Sequence, residues 1–279
     1  MTITQDFLDI IQKIEDIIEI PSVQEAFFPQ LDVKDKSCKA SNFGAIRLED
    51  GSIGIIFLNL TPEIKERAAS FNISDLIGMS PIELTRNFNS QDNFKKTLGL
   101  GAINAISQYV FNRANLSLDF TTDSLGLLNL HTGDKIGMVG LFPPLVKKIE
   151  ELGITLVVIE KKEQLVIKNP DWEVTLDPER LTECNKALIT STTVLNDSID
   201  EILQYCSQAE KISVIGPTGG FFPDPLFKRG VTVLGGTYVH DSRLFMKLIG
   251  QNQKWGPSTR KYCLQQSKYP GILSLLEEI

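Results

Sequence analysis

The sequence KIGMVGLFPPLVKKIEELGITLVVIEK, residues 135–161, decides the fold of this chain. Its first and last parts are almost unbroken apolar runs, which is the pattern of parallel strands buried on both faces. The middle part has apolar residues at helical spacing, opposite a face of lysines and glutamates, and it ends at Gly153. These features predict a strand–helix–strand crossover, the basic unit of a doubly wound sheet. Such sheets bind ligands at the carboxyl ends of their strands.

The same alternation continues towards the C-terminus. Further strands are predicted at residues 187–191, 211–216 and 231–234. Helices are predicted to begin at Asp177, at the capping-box residue Ser198 and at Asp241. The tail from Trp255 is predicted to pack back as a helix. Residues 117–279 are therefore interpreted as one α/β domain.

The first 116 residues have a different organisation. Residues 3–20 show an amphipathic helical pattern, and residues 42–49 and 52–60 are strand-like runs. Asp50-Gly51 joins these runs as the preferred pair for a two-residue hairpin turn. Ser80 and Ser90 precede two more helical patterns, the second of which reaches residue 112. We therefore predict a small α+β domain over residues 1–116.

Composition limits the class of protein. The 279 residues are 42% hydrophobic and 23% charged, as in a globular protein, and the net charge of −7 disfavours nucleic-acid and anionic-membrane partners. No apolar run is long enough to span a membrane, and the acidic N-terminal region does not resemble a signal peptide. Cys38, Cys184, Cys206 and Cys263 lack CxxC spacing, which predicts reduced thiols in a cytoplasmic protein. A homodimer is compatible with the sequence.

The loops after the predicted strands carry the candidate ligand-binding residues. Turn geometry alone also favours glycine, proline, serine and threonine in loops. However, the loops of a parallel sheet meet at one edge, and together they favour a site. The candidates are Gly140, Phe142, Pro143, Glu160, Thr190, Thr192, Thr193, Asn196, Gly216, Pro217, Thr218 and Gly235.

Two features near these loops leave alternatives open. Asn104 is polar on an otherwise apolar helix, so it is either a satisfied interior amide or a contact from the first domain to a ligand. The Phe-Pro loop at residues 140–143 resembles the one at residues 220–223. Either two crossovers are similar by chance, or the loops form two walls of one pocket.

The details argue against a conventional NAD or FAD site. Glu160 lies where a ribose-binding acid is expected. In contrast, Phe142 and Leu145 occupy the positions of the later glycines in the G-x-G-x-x-G series. Pro143 and Pro144 also remove amide donors from the helix N-terminus that would hold the pyrophosphate.

Catalytic and metal-binding signals are weak. The two histidines, His131 and His240, have no partner at i+3 or i+4, so no zinc motif is present. His240 and Asp241 are the remaining candidates for direct metal ligation. Glu160 and Asp197 are candidate acid–base residues, and an oxygen-rich site for a metal–ligand complex could use Glu160, Asp197 or Asp241.

The ordered motifs resemble a family. GLGAIN at residues 99–104, GMVGLFP at 137–143, TSTTVLN at 190–196 and IGPT at 215–218, followed by Gly235, are similar to those of a prokaryotic family described as putative heavy-metal chelation proteins. The resemblance implies an enolase N-terminal-like α+β domain joined to a Rossmann-like parallel-sheet domain, with a site in the cleft between them. This chain departs from the family pattern at Gly219-Gly220 and at Asp197-Ser198.

Two functions remain after the resemblance is considered. The first is binding or handling of a metal chelate or a small anionic ligand in the cleft. The alternative is an enzyme that synthesises or modifies a small anionic metabolite, such as a metal-chelating compound. The cofactor is not determined by the sequence, and a metal ion or a metal chelate is the expected class.

Overall fold

The protein has a mixed α/β fold. The computed structural model describes residues 2–30, 39–169 and 172–279. Within these ranges the strands form two sheets, one with three strands and one with eight. The crossover predicted from residues 135–161 is confirmed, since two parallel strands flank a helix there.

The three-stranded sheet lies in the first part of the chain, meaning the residues up to 116. It is antiparallel, and its strands follow one another in chain order. Its strands are β1 (Val23–Phe27), β2 (Phe43–Leu48) and β3 (Ile53–Phe57). The helices of this part are α1 (Ile3–Glu15), α2 (Pro62–Ser70), α3 (Pro81–Thr85) and α4 (Asn93–Arg113). β1 was not predicted.

The hairpin of β2 and β3 is confirmed, but its turn is longer than predicted. The Leu48 amide donates to Ser52 O at 2.9 Å, and the Gly51 amide donates to Leu48 O at 2.9 Å. Residues 49–51 therefore form a three-residue loop. Gly51 has φ +98°, the left-handed conformation that such a loop requires at its last position.

The long helix α4 covers one face of this sheet. Its cap is Asp92 and not the predicted Ser90, because the Asp92 carboxylate accepts from the amides of Phe94 and Lys95. α4 approaches β3 so closely that a Cβ atom on Gly54 would lie 1.9 Å from Gly101 O. Glycine at position 54 is therefore a requirement of the close packing.

The eight-stranded sheet belongs to the second part. Its order is β11-β10-β9-β8-β4-β5-β7-β6, with parallel pairing from β10 to β7 and antiparallel pairing at both edges. The strands are β4 (Lys135–Val139), β5 (Thr155–Ile159), β6 (Ile167–Lys168), β7 (Trp172–Thr175), β8 (Lys186–Thr190), β9 (Lys211–Ile215), β10 (Val233–Val239) and β11 (Thr259–Gln265). The helices are α5 (Pro143–Glu151), α6 (Thr192–Leu195), α7 (Ile199–Tyr205), α8 (Asp224–Phe227), α9 (Ser242–Gly250) and α10 (Ile272–Glu277).

The edges of this sheet differ from the prediction. β6 and β7 were not predicted, and β10 continues to Val239 where a strand ending at residue 234 was expected. The predicted helical tail is wrong in its first half, because β11 pairs with β10 before the chain forms α10. Asp177 does cap a helical turn, but that turn is a 3₁₀ helix (Pro178–Glu183).

Helix α9 connects the two parts of the molecule. Its buried residues Phe245, Met246 and Ile249 pack with Ala45 and Ile53 of the hairpin. The three-stranded sheet therefore lies between α4 on one face and α9 on the other. Consequently, the chain after α9 passes beside the open end of the hairpin.

The described cysteines are Cys184, Cys206 and Cys263, and all three are buried free thiols. Burial raises the pKa of the Cys184 thiol to about 11 and that of Cys206 to about 12, so both are neutral at ordinary pH. Cys38 lies outside the described residues. Among the helices that the structure describes, none has the length and hydropathy of a bilayer span.

Candidate functional site

A cleft of about 720 Å³ lies at the point where the strand order of the large sheet reverses. From β4 the chain proceeds to β5 and β7 on one side, and then to β8, β9 and β10 on the other. The loops after β4 and β8 therefore diverge, which leaves a crevice at the carboxyl edge. The open end of the β2–β3 hairpin, where Phe43 pairs with Phe57, forms another wall of the crevice, and we call this end the hairpin base.

Three segments of the chain line this cleft. The sheet contributes the loops after β4, β8 and β9, the first part of the chain contributes the hairpin base, and the segment after α9 contributes the third wall. The lining residues are Ala40, Asn42, Phe43, Phe57, Leu141, Phe142, Thr190, Ser191, Thr192, Gly216, Pro217, Thr218, Lys254, Trp255 and Gly256.

Six of the predicted ligand-binding residues are brought together in this cleft. They are Phe142, Thr190, Thr192, Gly216, Pro217 and Thr218. The other predicted residues lie nearby or elsewhere and do not line it. Their positions follow from the hydrogen bonds of each loop.

The loop after β4 is shaped by Glu160. The Leu141 amide donates to Glu160 Oε1 at 2.7 Å, and the Lys161 amide donates to Oε2 at 3.1 Å. Gly140 has φ +86°, so the chain can turn there and direct Phe142 into the cleft. Pro143 is the exposed first residue of α5. Glu160 and Gly140 thus hold the loop that carries Phe142.

The loop after β8 is held by its own hydroxyl groups. Thr193 Oγ1 donates to Thr190 O at 2.7 Å and is buried, whereas Thr190 and Thr192 reach the cleft. The predicted capping box at Ser198 is wrong: Ser198 has helical backbone angles and its hydroxyl donates to Asn196 Oδ1 at 2.6 Å. Asn196 is therefore used within the loop.

Asp197 joins this loop to α4. It has φ +59° and forms an ion pair with Lys96, whose side chain is only 8% exposed, whereas the Asp197 side chain is 61% exposed. Lys96 also lies over the Phe88 ring, 5.5 Å from its centroid. The pair links the two parts of the chain on a side of the loop that does not line the cleft.

The loop after β9 packs tightly against the loop after β8. Ser191 Oγ and Thr218 Oγ1 are 3.1 Å apart and both residues are buried. A Cβ atom on Gly216 would lie 2.2 Å from Ser191 Oγ, so only glycine fits there. Asn104 from α4 binds the same loop, because its Nδ2 donates to Thr218 O at 3.2 Å and to Ile55 O at 2.9 Å.

The remaining predicted residues lie in β10 or directly after it. Gly235 lies inside the strand and not after it, and a Cβ atom there would be 2.1 Å from Ser124 Oγ. Asp241 Oδ1 accepts from the Leu244 amide at 2.9 Å and caps α9. His240 is exposed. Within the described ranges, no group of three or more His, Cys, Asp or Glu side chains could hold a metal ion.

Two walls of the cleft were not predicted from the sequence. Phe43 and Phe57 are cross-strand partners with ring centroids 5.4 Å apart, and Trp255 packs edge-on to Phe43 at 5.1 Å. The register of the hairpin could have placed Phe43 opposite Phe57 at its open end. Nothing local in the sequence indicates that Trp255 and Lys254 join them.

Lys254 gives the cleft its positive charge. It is exposed and is the one charged side chain among the described lining residues. The other polar groups there are hydroxyls and the Asn42 amide, whose Oδ1 accepts from Lys65 Nζ at 2.9 Å. The cleft therefore suits a small ligand with anionic oxygens and an apolar surface.

Two family models match the chain. Both are described as putative heavy-metal chelation: DUF4213 over residues 25–107 and DUF364 over residues 123–267. The uncharacterized protein MJ0500 of Methanocaldococcus jannaschii is 31% identical over 203 residues, which cover 70% of this chain and 72% of that protein.

Two solved structures of DUF364 proteins of unknown function have the same fold. The protein PH1506 of Pyrococcus horikoshii has a TM-score of 0.70 at 21% identity, covering 93% of this chain and 99% of that one. The protein of Desulfitobacterium hafniense has a TM-score of 0.67 at 20% identity, covering 94% and 98%. These likenesses fit a two-domain α/β fold. The DUF364 model alone matches more than half of the sequence, and the chain belongs to the DUF364 family of putative heavy-metal chelation proteins.

Proposed function

We propose that the protein binds a small anionic metal chelate, or the organic chelator itself, in the cleft at the strand-order reversal. The proposal rests on the types of side chain among the described residues that line the cleft. This described lining offers hydroxyls, aromatic rings and Lys254, but no carboxylate, thiol or imidazole. A bare transition-metal ion requires several such ligands from the protein. A chelate brings its own ligands and presents oxygens and an apolar surface instead.

Each wall has a separate role in this proposal. The hydroxyl of Thr192 accepts from Thr190 Oγ1 at 3.1 Å and donates its own proton to a chelator oxygen. The rings of Phe142 and Trp255 pack against the organic part of the ligand. Lys254 at the exposed side attracts the negative charge of the complex.

The positions of the candidate acid–base residues favour binding over catalysis. Both oxygens of Glu160 accept backbone amides of the loop after β4, and Asp197 is paired with Lys96. Neither residue lines the cleft. A catalytic carboxylate must reach the proton that it transfers, directly or through one water.

Isothermal titration calorimetry with one metal in different forms tests the proposal. Ni²⁺ would be presented as its citrate, histidine and EDTA complexes, each chelator alone would be titrated separately, and the aquo ion would be the bare-metal probe. We expect saturable binding of an anionic complex or its chelator, and none of the aquo ion. Binding of the aquo ion alone would contradict the proposal.

A matched pair of lysine variants locates the binding. Lys254→Ala removes the charge of the cleft, whereas Lys247→Ala removes an exposed lysine of α9 that does not line it. The affinity for the anionic complex is expected to fall about tenfold in Lys254→Ala, the equivalent of one charge-assisted contact, and to stay unchanged in Lys247→Ala. Equal losses in the two variants would indicate a general charge effect and no cleft site.

A further inference from the structure

A small cavity of about 10 Å³ with a mixed polar and apolar lining lies behind the cleft, between α4, β3 and β10. It shares Pro217 with the cleft. On its other side it shares Phe111 and Tyr238 with an outer groove of about 470 Å³. The volume corresponds to one water-sized sphere, so any occupant is a single small molecule.

Asn104 presents an unpaired oxygen at this cavity. The residue is 2% exposed, and its Nδ2 atom donates to Ile55 O and Thr218 O. No donor among the described residues reaches Asn104 Oδ1. A buried carbonyl oxygen without a partner costs about 1–3 kcal/mol, so native proteins seldom leave one unpaired.

The surroundings of this oxygen restrict what can approach it. A Cβ atom on Gly220 would lie 3.6 Å from Asn104 Oδ1, so even a methyl group there would take up the space beside the oxygen. Glycine at this position therefore keeps the approach open. The neighbouring walls are the apolar side chains of Ile53 and Ile55.

Other polar groups face the same cavity. Tyr262 is 3% exposed, and its hydroxyl lies where a Cβ atom on Gly236 would come within 2.7 Å. Burial raises the pKa of Tyr262, which keeps the hydroxyl neutral and able to donate or accept. Thr237 and Gln108 complete the polar lining, and Gln108 Nε2 also donates to Val239 O at 2.8 Å.

We propose that this cavity is the binding site of one internal water molecule, which donates to Asn104 Oδ1 and is held by polar groups of Tyr262 and Thr237. A buried water needs two to four polar partners, and Tyr262 and Thr237, which line the same cavity, carry hydroxyls that can serve beside Asn104 Oδ1. Asn104 also holds Thr218 O, which lies in the wall of the cleft. The water therefore completes the contact that fixes the loop after β9 against α4.

A crystal structure at a resolution that shows internal waters tests this site. The expected result is one density peak about 2.7–3.2 Å from Asn104 Oδ1. Water relaxation dispersion on the same protein in solution should show one long-lived molecule that belongs to this peak. A wild-type crystal with no peak there, while other buried waters are visible, would overturn the proposal.

Two glycine variants make the test specific. Gly220→Ala places a methyl group beside Asn104 Oδ1 at an ordinary contact distance, so it should displace the water and leave the fold intact. Gly126→Ala is the matched control, because its new methyl group would contact only Asp123 and Thr122. The peak and the long-lived molecule should be lost in Gly220→Ala and kept in Gly126→Ala. Unchanged density in both variants would contradict the assigned position.

Discussion

The loops after β4 and β9 carry the same Phe-Pro pattern, yet only the first leaves its aromatic ring open to the cleft. Phe142 is half-buried and lines the cleft, whereas Phe221 and Phe222 are fully buried. The rings of Phe7 and Phe111 cover the second loop, at centroid distances of 5.2 Å from Phe221 and 5.7 Å from Phe222.

The difference comes from the helices that pack outside the carboxyl edge of the large sheet. Helices α1 and α4 cover the loop after β9, so its phenylalanines join the main core, and only residues 216–218 reach the cleft. Among the residues that the structure describes, none of α1 to α4 lines the cleft into which Phe142 points. Of the two alternatives left open for this repeated pattern, the one with two matching walls of a single pocket does not hold for the Phe-Pro pairs. The surrounding elements decide whether an aromatic loop residue binds a ligand or builds the core.

The largest expected loss of stability follows the removal of a buried aromatic ring from the loop after β9. Phe222→Ala removes a fully buried side chain and should destabilise the protein by about 3–5 kcal/mol. Phe142→Ala removes a half-buried ring and should cost about 1 kcal/mol. Chemical denaturation of both variants measures the two free energies of unfolding. Equal losses would show that the two loops are equally buried.

The second prediction concerns helix α1, whose Phe7 packs on Phe221. Asp6 of α1 pairs with Lys228 at 2.8 Å and Arg229 at 2.6 Å, which holds α1 and its Phe7 against Phe221. Asp6→Asn should cost about 2 kcal/mol, because it weakens charge-assisted hydrogen bonds at a largely buried site while Arg229 keeps its second ion pair with Asp200. Lys228→Met is the control with a smaller expected loss, since Lys228 is 63% exposed.

The same carboxylate predicts a pH dependence. Burial favours the neutral form of Asp6, but the hydrogen bonds from Lys228 and Arg229 outweigh it and hold the pKa below its usual value. A depressed pKa in the folded state gives stability that is present above about pH 4 and is lost as pH falls through the folded pKa. The free energy of unfolding of wild type should therefore decline below about pH 4 more steeply than that of Asp6→Asn. Parallel pH profiles would contradict this assignment.

An intermediate effect is expected at the loop after β8. Asp197→Asn keeps a residue that tolerates the left-handed conformation but leaves the buried Lys96 ammonium without its carboxylate, at a cost of about 2 kcal/mol. Lys96→Met leaves Asp197 in water, so it should cost less than about 1 kcal/mol. Thermal and urea unfolding of the two variants measure this asymmetry. The reverse order would show that Lys96 acts mainly by packing on Phe88.

The smallest effect on stability is expected in the open wall of the cleft. Lys254→Ala should change the free energy of unfolding by no more than about 0.5 kcal/mol, since Lys254 is exposed. The same variant should lose about tenfold in affinity for the anionic complex. A variant that lost stability and affinity together would show that Lys254 belongs to the folded core, contrary to its position.

The sequence predicted the elements whose signals are local. Residues 135–161 have two apolar runs around an amphipathic segment, and the structure confirms β4, α5 and β5. The Asp50-Gly51 pair located the hairpin, although the turn has three residues. β11 was missed because its buried residues Tyr262, Cys263 and Leu264 are consecutive and do not alternate with polar ones.

The candidate site was only partly predictable. Loops that follow parallel strands must meet at one edge, so the gathering of Phe142, Thr192 and Thr218 follows from topology alone. The hairpin base and Trp255 reach the same cleft through the packing of α9 on the small sheet. That contact joins residues about 200 positions apart, and no periodicity in either segment predicts it.

The most direct measurement for the proposed function is an anomalous-scattering map of crystals soaked with nickel citrate. If the cleft binds a chelate, a nickel peak will lie between Phe142, Thr192 and Trp255, with citrate density around it and with no protein side chain as a direct ligand. A nickel ion held by protein carboxylates or histidines elsewhere, with no density in the cleft at saturating chelate, would contradict the account.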